Sequence, residues 1–435
     1  MNRLTSKQRK MSYLAGIVVL LIPIIWLGRP DEGGRLSQLR QVHDLGESTL
    51  GNVDPTSATM NLVLLGLRGV ATNLLWMEHD EQKRTKNWAQ MRATTDSIIM
   101  LQPHYLQVWR YHGWDLAYNV SAEWDGVEDR YWWVKEGAKF TMKGSIRNTK
   151  YAELYWETGR ILGQKVGRAD EWRFFRKFFK SDPYEEFNGG PDPAINPNGD
   201  DNYITAKGWY AQANEVEVEN GQHIMMRELF RSYPARSQLD YAVALQREGV
   251  FDEVARIAWQ DGYNDWTQGF GKMIFQKPGC AIYLEADADD VREMAKTNNV
   301  EESLIRKWLT SDQNLTNYRY WRMRAIAESE KETVTAHRLL YSGEQYFRTG
   351  ELDKAFVDLS EGMRLFEAML RRNPGLLIDD LMAEEGLWAV MLWKKIHQLK
   401  GQPEPPNYPL KRLWDAEQRR MPNLNDRFNR RFGGL

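Results

Sequence analysis

The sequence predicts an all-α protein: one apolar N-terminal helix, then an array of antiparallel helical hairpins. Three observations carry this expectation. Residues 11–28 form an uncharged, mostly apolar run behind a basic flank. Two stretches, 241–258 and 336–359, place small and large residues at the same spacing in one frame. No stretch shows a convincing alternation of apolar and polar residues, the mark of a half-buried strand.

The N-terminal run follows Arg3, Lys7, Arg9 and Lys10, with no acid among them. Its length at helical rise is about 27 Å, just enough for the hydrocarbon core of a bilayer. A cleaved signal peptide shares this layout, but Ile24-Ile25-Trp26-Leu27-Gly28 lacks the small residues that cleavage requires. Trp26 suits a membrane interface. The expectation is an uncleaved transmembrane signal anchor at 11–28. The flank at 1–10 would stay cytoplasmic and the body would lie on the outer, periplasmic side. Residues 58–77 are also apolar, but Arg68 at their centre would cost about 2.5–3.5 kcal/mol in a bilayer. They are expected as the first buried helix of the body, started by Asp54-Pro55-Thr56-Ser57.

Composition shifts divide the rest. Residues 29–57 read as a stalk, and 58–182 as a Trp-rich helical block holding nine of the 18 tryptophans. Residues 183–204, with Gly189-Gly190-Pro191, Pro193, Pro197 and Asn198-Gly199, read as a long irregular loop. Helical patterning resumes over 205–400 and ends at Pro403, Pro405 and Pro406; 401–435 reads as a basic tail, solvated or touching anionic lipid or a partner.

The repeat signal is clearest from Ala336. Gly343 and Ala355 are small residues where two antiparallel helices touch, Tyr346 and Leu359 fill the space beside them, and Gly350 allows the turn. The same frame recurs 101 residues earlier, with Ala242, the turn glycine Gly249 and the motif Gly249-Val-Phe-Asp-Glu against Gly350-Glu-Leu-Asp-Lys. Upstream, Trp109 and Gly113, then Tyr155 and Gly159, suggest two further hairpins. Their glycines lie 46 residues apart, longer than the usual ~34-residue unit.

Residues 336–359 and 241–258 resemble tetratricopeptide repeats. The block Gly66-Leu-Arg-Gly69, Leu74-Leu75-Trp76, Leu101-Gln-Pro-His104, Trp114-Asp115-Leu-Ala117-Tyr-Asn119 and Tyr131-Trp132-Trp133 resembles a group of membrane-anchored, tetratricopeptide-like proteins common in planctomycetes. Some of these carry a name referring to iron-responsive elements, which no residue here supports. The resemblance implies a tetratricopeptide-like α-helical solenoid and supplies no activity.

Chemistry has little support. The 58 Lys and Arg balance 60 Asp and Glu, so no nucleic-acid partner is expected. A lone Cys280 allows no intrachain disulfide and no cysteine metal cluster. Glu78-His79-Asp80-Glu81 lacks the paired histidines of a zinc helix, and the histidines are expected on the surface or at helix caps. The loop at 192–201 fails as an EF-hand because Ala194 stands at a ligand position. No nucleophile elbow, phosphate loop or dinucleotide fingerprint is present. The expectation is a scaffold or adaptor for a protein partner, not an enzyme, with no cofactor and no metal. Trp109, Tyr118, Tyr346 and Arg348 are the expected partner-binding residues. The alternative is a glycan-binding or glycan-active envelope protein, in which Trp platforms and carboxylates such as Trp114-Asp115 and Glu123-Trp124-Asp125 line an open groove.

Overall fold

A computed structural model of the chain describes residues 6–27, 68–221 and 225–432. Gly28, the stalk at 29–57 and residues 58–67 lie outside the described residues. The chain divides into two compact units, Met1–Val108 and Trp109–Leu435. The division falls inside the block expected at 58–182.

In the first unit, helix α1 spans Ser6–Leu27 and contains Pro23. Its apolar residues Met11, Tyr13, Ile17, Val19, Leu20 and Ile22 are all exposed. Among the described residues, no helix is long and apolar enough to cross a membrane. Helices α2 (Arg68–Arg84) and α3 (Trp88–Leu101) pack as a hairpin. The α3 core residues Met91, Thr94, Thr95, Ile98 and Ile99 follow the spacing of one helical face. The Asn87 side chain caps α3 by accepting from the Gln90 backbone N–H. Within α2, Leu74 and Met77 are exposed while His79 is buried. The described part of 58–77 is therefore not the apolar buried helix that the sequence suggests.

The unit boundary falls within α4 (Leu106–Asp115); its second-unit part runs into a π-helical turn at Leu116–Val120 and packs on α5 (Val127–Arg147). Gly113 and Gly137 let these helices touch: a Cβ on Gly137 would stand 2.6 Å from the Gly113 carbonyl oxygen and 2.8 Å from the Ala117 methyl. Helix α6 (Ala152–Arg160) ends in a second π turn, Ile161–Lys165, and packs on α8 (Asn202–Asn220). There Gly159 lies beneath the Tyr210 ring, 2.9 Å from where its Cβ would be. Between them, α7 (Trp172–Lys180) buries Phe175 and Phe179.

The two stretches matched in sequence are both helical hairpins. Helices α9 (Arg227–Arg247) and α10 (Glu253–Asn264) form one. After α10 comes a third π turn, Asp265–Gly269. Gly249 and Gly350, the turn glycines of the two hairpins, sit at φ +84° and +78°, a region costly for any residue with a Cβ. Ala242 and Ala355 are fully buried. Within the second hairpin's first helix, Gly343 faces Leu359, whose Cγ would lie 2.7 Å from an added Cβ.

One element departs from the all-helical expectation. Phe275–Lys277 (β1) and Cys280–Ile282 (β2) form an antiparallel hairpin around Pro278-Gly279, with Gly279 at φ +78°. Three-residue strands are too short to show alternation in sequence. Phe275, Cys280 and Ile282 bury their side chains against the same cluster as Trp266 and Phe270.

Helices α11 (Ala288–Asn298), α12 (Glu302–Leu315), α13 (Tyr318–Glu328), α14 (Lys331–Arg348), α15 (Leu352–Arg372) and α16 (Asp380–Leu399) follow. The second matched stretch is the hairpin α14 with α15. Three hydrophobic clusters succeed one another along this unit, each built mainly from neighbours in sequence. The C-terminal stretch is not a solvated tail. Lys411–Ala416 (α17) and Met421–Phe432 (α18) are helical, and Met421, Leu424, Phe428 and Phe432 join the last cluster. Its arginines pair within the chain: Arg420 with Asp380, Arg427 with Glu384, and Arg431 with Glu344.

The loop at 183–204 is irregular as expected but tightly held. Asn196 donates to the Phe179 and Asp200 carbonyls and accepts from the Asp200 N–H. Asp182 and Asp192 pair with Lys135 and Lys139 of α5. Asp201 then caps α8 by accepting from the Tyr203 N–H.

Candidate functional site

The inner sides of α9, α13, α14 and α16 surround an open cavity of 820 Å³. Each helix contributes polar groups at one-turn spacing: Arg236 and Asp240 from α9, Tyr320 and Arg324 from α13, His337 and Tyr341 from α14, Glu385 and Trp388 from α16. Residues three or four apart share a helix face, so each pair points to the same side.

A buried charge cluster forms the floor. His337, 3% exposed, places Nδ1 2.6 Å from Glu385 Oε1 and Nε2 3.0 Å from Glu328 Oε2. Burial opposes the imidazolium, but Glu328 and Glu385 outweigh it and raise the His337 pKa well above the usual histidine range. Burial likewise opposes the Glu328 carboxylate, yet His337 and Arg324 hold it below the usual range. Gln246 Nε2 donates to Glu328 at 2.8 Å. Arg324 donates to the Tyr320 hydroxyl and to Asp379, both at 3.1 Å. Desolvation, together with Asp379, pushes the Tyr320 hydroxyl up; it donates to Asp379 and accepts from Arg324.

Aromatic rings make the walls. Phe251 lies parallel to the His337 ring and 5.4 Å from Tyr341. The Arg236 guanidinium sits 3.7 Å over Trp321, a cation–π contact. Trp388 donates its indole N–H to Glu344 at 3.2 Å. At the mouth, Arg168 and Arg236 share Asp240, at 2.6 and 3.0 Å. Such a cavity, apolar in its walls with a few oriented polar groups, suits binding of a ligand segment. The floor offers no nucleophile paired to a base: its histidine is clamped between two carboxylates.

The expected partner-binding residues lie elsewhere. Trp109 is 4% exposed, packed on Phe140 and Gly144. It is a core residue, because the Gly144 backbone leaves room for its indole, and this corrects its assignment to a binding surface. Tyr118 is half-buried on the first π turn, stacked on Trp114 beneath Arg160 and Lys165; burial pushes its hydroxyl up to about 12. Tyr346 is half-buried against the last cluster. Arg348 is exposed and paired with Glu344 at 2.8 Å, which links it to the cavity edge. The packing glycines Gly113, Gly159 and Gly343 stand at the close approaches described above, and a Cβ on Gly249 would stand 2.7 Å from the Tyr341 ring.

One other expectation changes. His79, His112, His337 and His397 are buried, not on the surface or at caps. Of the nine tryptophans between residues 70 and 175, Trp109, Trp156 and Trp172 are buried and the other six are half-buried. Sequence reading passed over the cavity residues because they come from helices about a hundred residues apart. One signal was present: Phe251, the large residue of the Gly249 turn motif, stands in the cavity wall.

No protein-family model, curated protein or solved structure matches this chain.

Proposed function

We propose that this chain is a membrane-anchored, tetratricopeptide-like adaptor that captures a segment of a protein partner in the cavity between α9, α13, α14 and α16. The observation that carries the reading is the cavity itself, an 820 Å³ opening with aromatic walls and oriented polar and charged groups from four helices. Stacked hairpins present such concave surfaces to extended peptides. The successive clusters, the two matched glycine turns and the small-residue contacts at Gly343 and Ala355 support a solenoid of tetratricopeptide-like units.

The anchor belongs to the same proposal. The exposed apolar residues of α1, from Met11 to Ile22, spread around the whole helix and not along one stripe, a pattern that suits lipid. The anchor is read over 11–28, a stretch that runs past the described residues. Its basic flank would keep the N-terminus cytoplasmic and set the body on the outer side of the membrane. The protein acts as a scaffold within an envelope complex and performs no catalysis.

Site-specific photocrosslinking in native membranes tests the cavity. A photoreactive residue at Tyr341 or Leu381, both lining the opening, should yield a discrete crosslinked partner. The same probe at exposed Val357, outside it, should not. Identical products at all three positions would remove the cavity from the reading.

A further inference from the structure

The mouth of the cavity carries more positive charge than its own carboxylates neutralise. The Trp172 ring is flanked by two guanidinium groups, Arg247 at 4.4 Å and Arg173 at 4.8 Å from its centroid. Neither arginine has a carboxylate within ion-pair distance among the described residues. The nearby acids are already engaged. Asp240 serves both Arg168 and Arg236. Glu344 serves both Arg348 and Arg431. Glu248 pairs with Arg176, which Asp201 also holds.

These groups act on one another. Arg247 is held below the usual arginine range by burial and by repulsion from Arg168, Arg173 and Arg176. Arg431, on the C-terminal helix, is lowered by burial and by repulsion from Arg348, Arg173 and Arg427. Arg173 thus stands within electrostatic reach of both, and cations from α7, α9, α14 and α18 converge on one rim. Uncompensated like charges cost free energy, which an arriving anion would relieve.

We infer that this rim receives an acidic segment of a protein partner, whose carboxylates pair with Arg173 and Arg247 while a neighbouring apolar side chain enters the aromatic cavity. The inference rests on the peptide-capture reading above and names the chemistry of the peptide. Guanidinium groups bind carboxylates bidentately, and stacking on Trp172 holds both planes in place. Deeper in, Glu385 and Asp379 line the cavity and would repel a chain of anions, so the acidic residues stay at the mouth. The aromatic walls at Trp321, Tyr341 and Phe251 favour an apolar side chain beyond them.

The test uses the full chain in detergent micelles and two fluorescein-labelled peptides, Glu-Glu-Trp-Glu-Glu and Gln-Gln-Trp-Gln-Gln, read by anisotropy. The acidic peptide should bind about tenfold tighter or better, the effect of one or two charge-assisted pairs. High salt should shrink that margin. The double variant Arg173→Gln/Arg247→Gln should lose the margin while keeping a cooperative melt and its affinity for the Gln peptide, since neither arginine holds an ion pair in the fold and each gives up only a stacking contact on Trp172. Equal binding of the two peptides, or a margin that survives the double variant, overturns the acidic preference and leaves peptide capture standing. Binding of neither peptide overturns both.

Discussion

Lys135 Nζ lies 2.6 Å from Asp182 Oδ2, and both side chains are shut off from solvent. The same ammonium is 3.4 Å from Asp192 and sits 4.4 Å over the Phe187 ring. One lysine of α5 therefore ties the start of the long loop at 183–204 to its middle.

Removing that lysine should be costly. Lys135→Met leaves two buried carboxylates with only Lys139 beside Asp192, and breaking one side of a buried ion pair costs roughly 3–5 kcal/mol. Chemical denaturation should show the loss, and limited proteolysis should cut within 183–204. Asp192 adds a pH dependence. Burial raises its pKa, but Lys139 and the Ala194 N–H outweigh that and leave it below the ordinary aspartate value. Its contribution is then present above that ordinary value and is lost as pH falls through the lowered one. An acid titration of Lys139→Met should show a smaller drop in stability over that window.

His337 should behave in the opposite sense. Its folded pKa is raised, so its contribution is complete below the ordinary histidine pKa and declines as pH rises through the raised value. By NMR its ring protons should show no titration between about pH 5 and 8, where an unperturbed histidine titrates. His337→Leu would leave Glu328 buried with Arg324 as its remaining cation and Gln246 as its donor, and should cost roughly 3–5 kcal/mol. A wild-type titration midpoint near the ordinary histidine value would contradict the clamp by Glu328 and Glu385.

Two glycines on helices should respond oppositely to alanine. At Gly343 the new methyl meets Leu359 side-chain and backbone atoms at 2.7 and 3.2 Å, and overpacking of this kind costs roughly 1–3 kcal/mol. At Gly208, inside α8, nothing lies within 4 Å. Gly208→Ala should therefore stabilise by about 0.4–1 kcal/mol through helix propensity and the unfolded chain. Thermal melts of the two variants should move in opposite directions.

The C-terminal helix should be part of the folded body. Phe432 packs edge-on against Phe347 at 5.5 Å, and Phe428 against Trp388 at 5.4 Å. Truncation after Ala416 removes both and exposes Trp388 on the cavity rim. Melting temperature should fall, and tryptophan emission should shift to the red. An unchanged melt would mean that α18 adds nothing to the last cluster.

The proposed anchor makes a separate prediction. The full chain should stay with membranes through alkaline carbonate washing, and a chain lacking residues 1–28 should not. Release of the full chain by carbonate would remove the anchor from the proposed function.

Local signals in the sequence determined the helical class, the two glycine turns and the place of the long loop. Gly249 and Gly350 are legible because a left-handed turn requires glycine whatever surrounds it, and 183–204 because clustered proline and glycine stop helices anywhere. Alanine and glycine at helical spacing likewise announced close helix contacts at Gly343 and Ala355. The tertiary structure alone decided what those helices enclose. Arg236, Arg324, His337 and Glu385 each read as an ordinary polar residue on an amphipathic helix, and only folding brings them around one cavity. Trp109 and the basic tail were misread for the same reason: an indole and an arginine-rich helix carry no local mark of which side meets protein. Gly144 makes room for the first, and Phe347 and Trp388 receive the phenylalanines of the second. Backbone conformation is written over a few neighbouring residues, whereas burial and charge pairing depend on partners a hundred residues away.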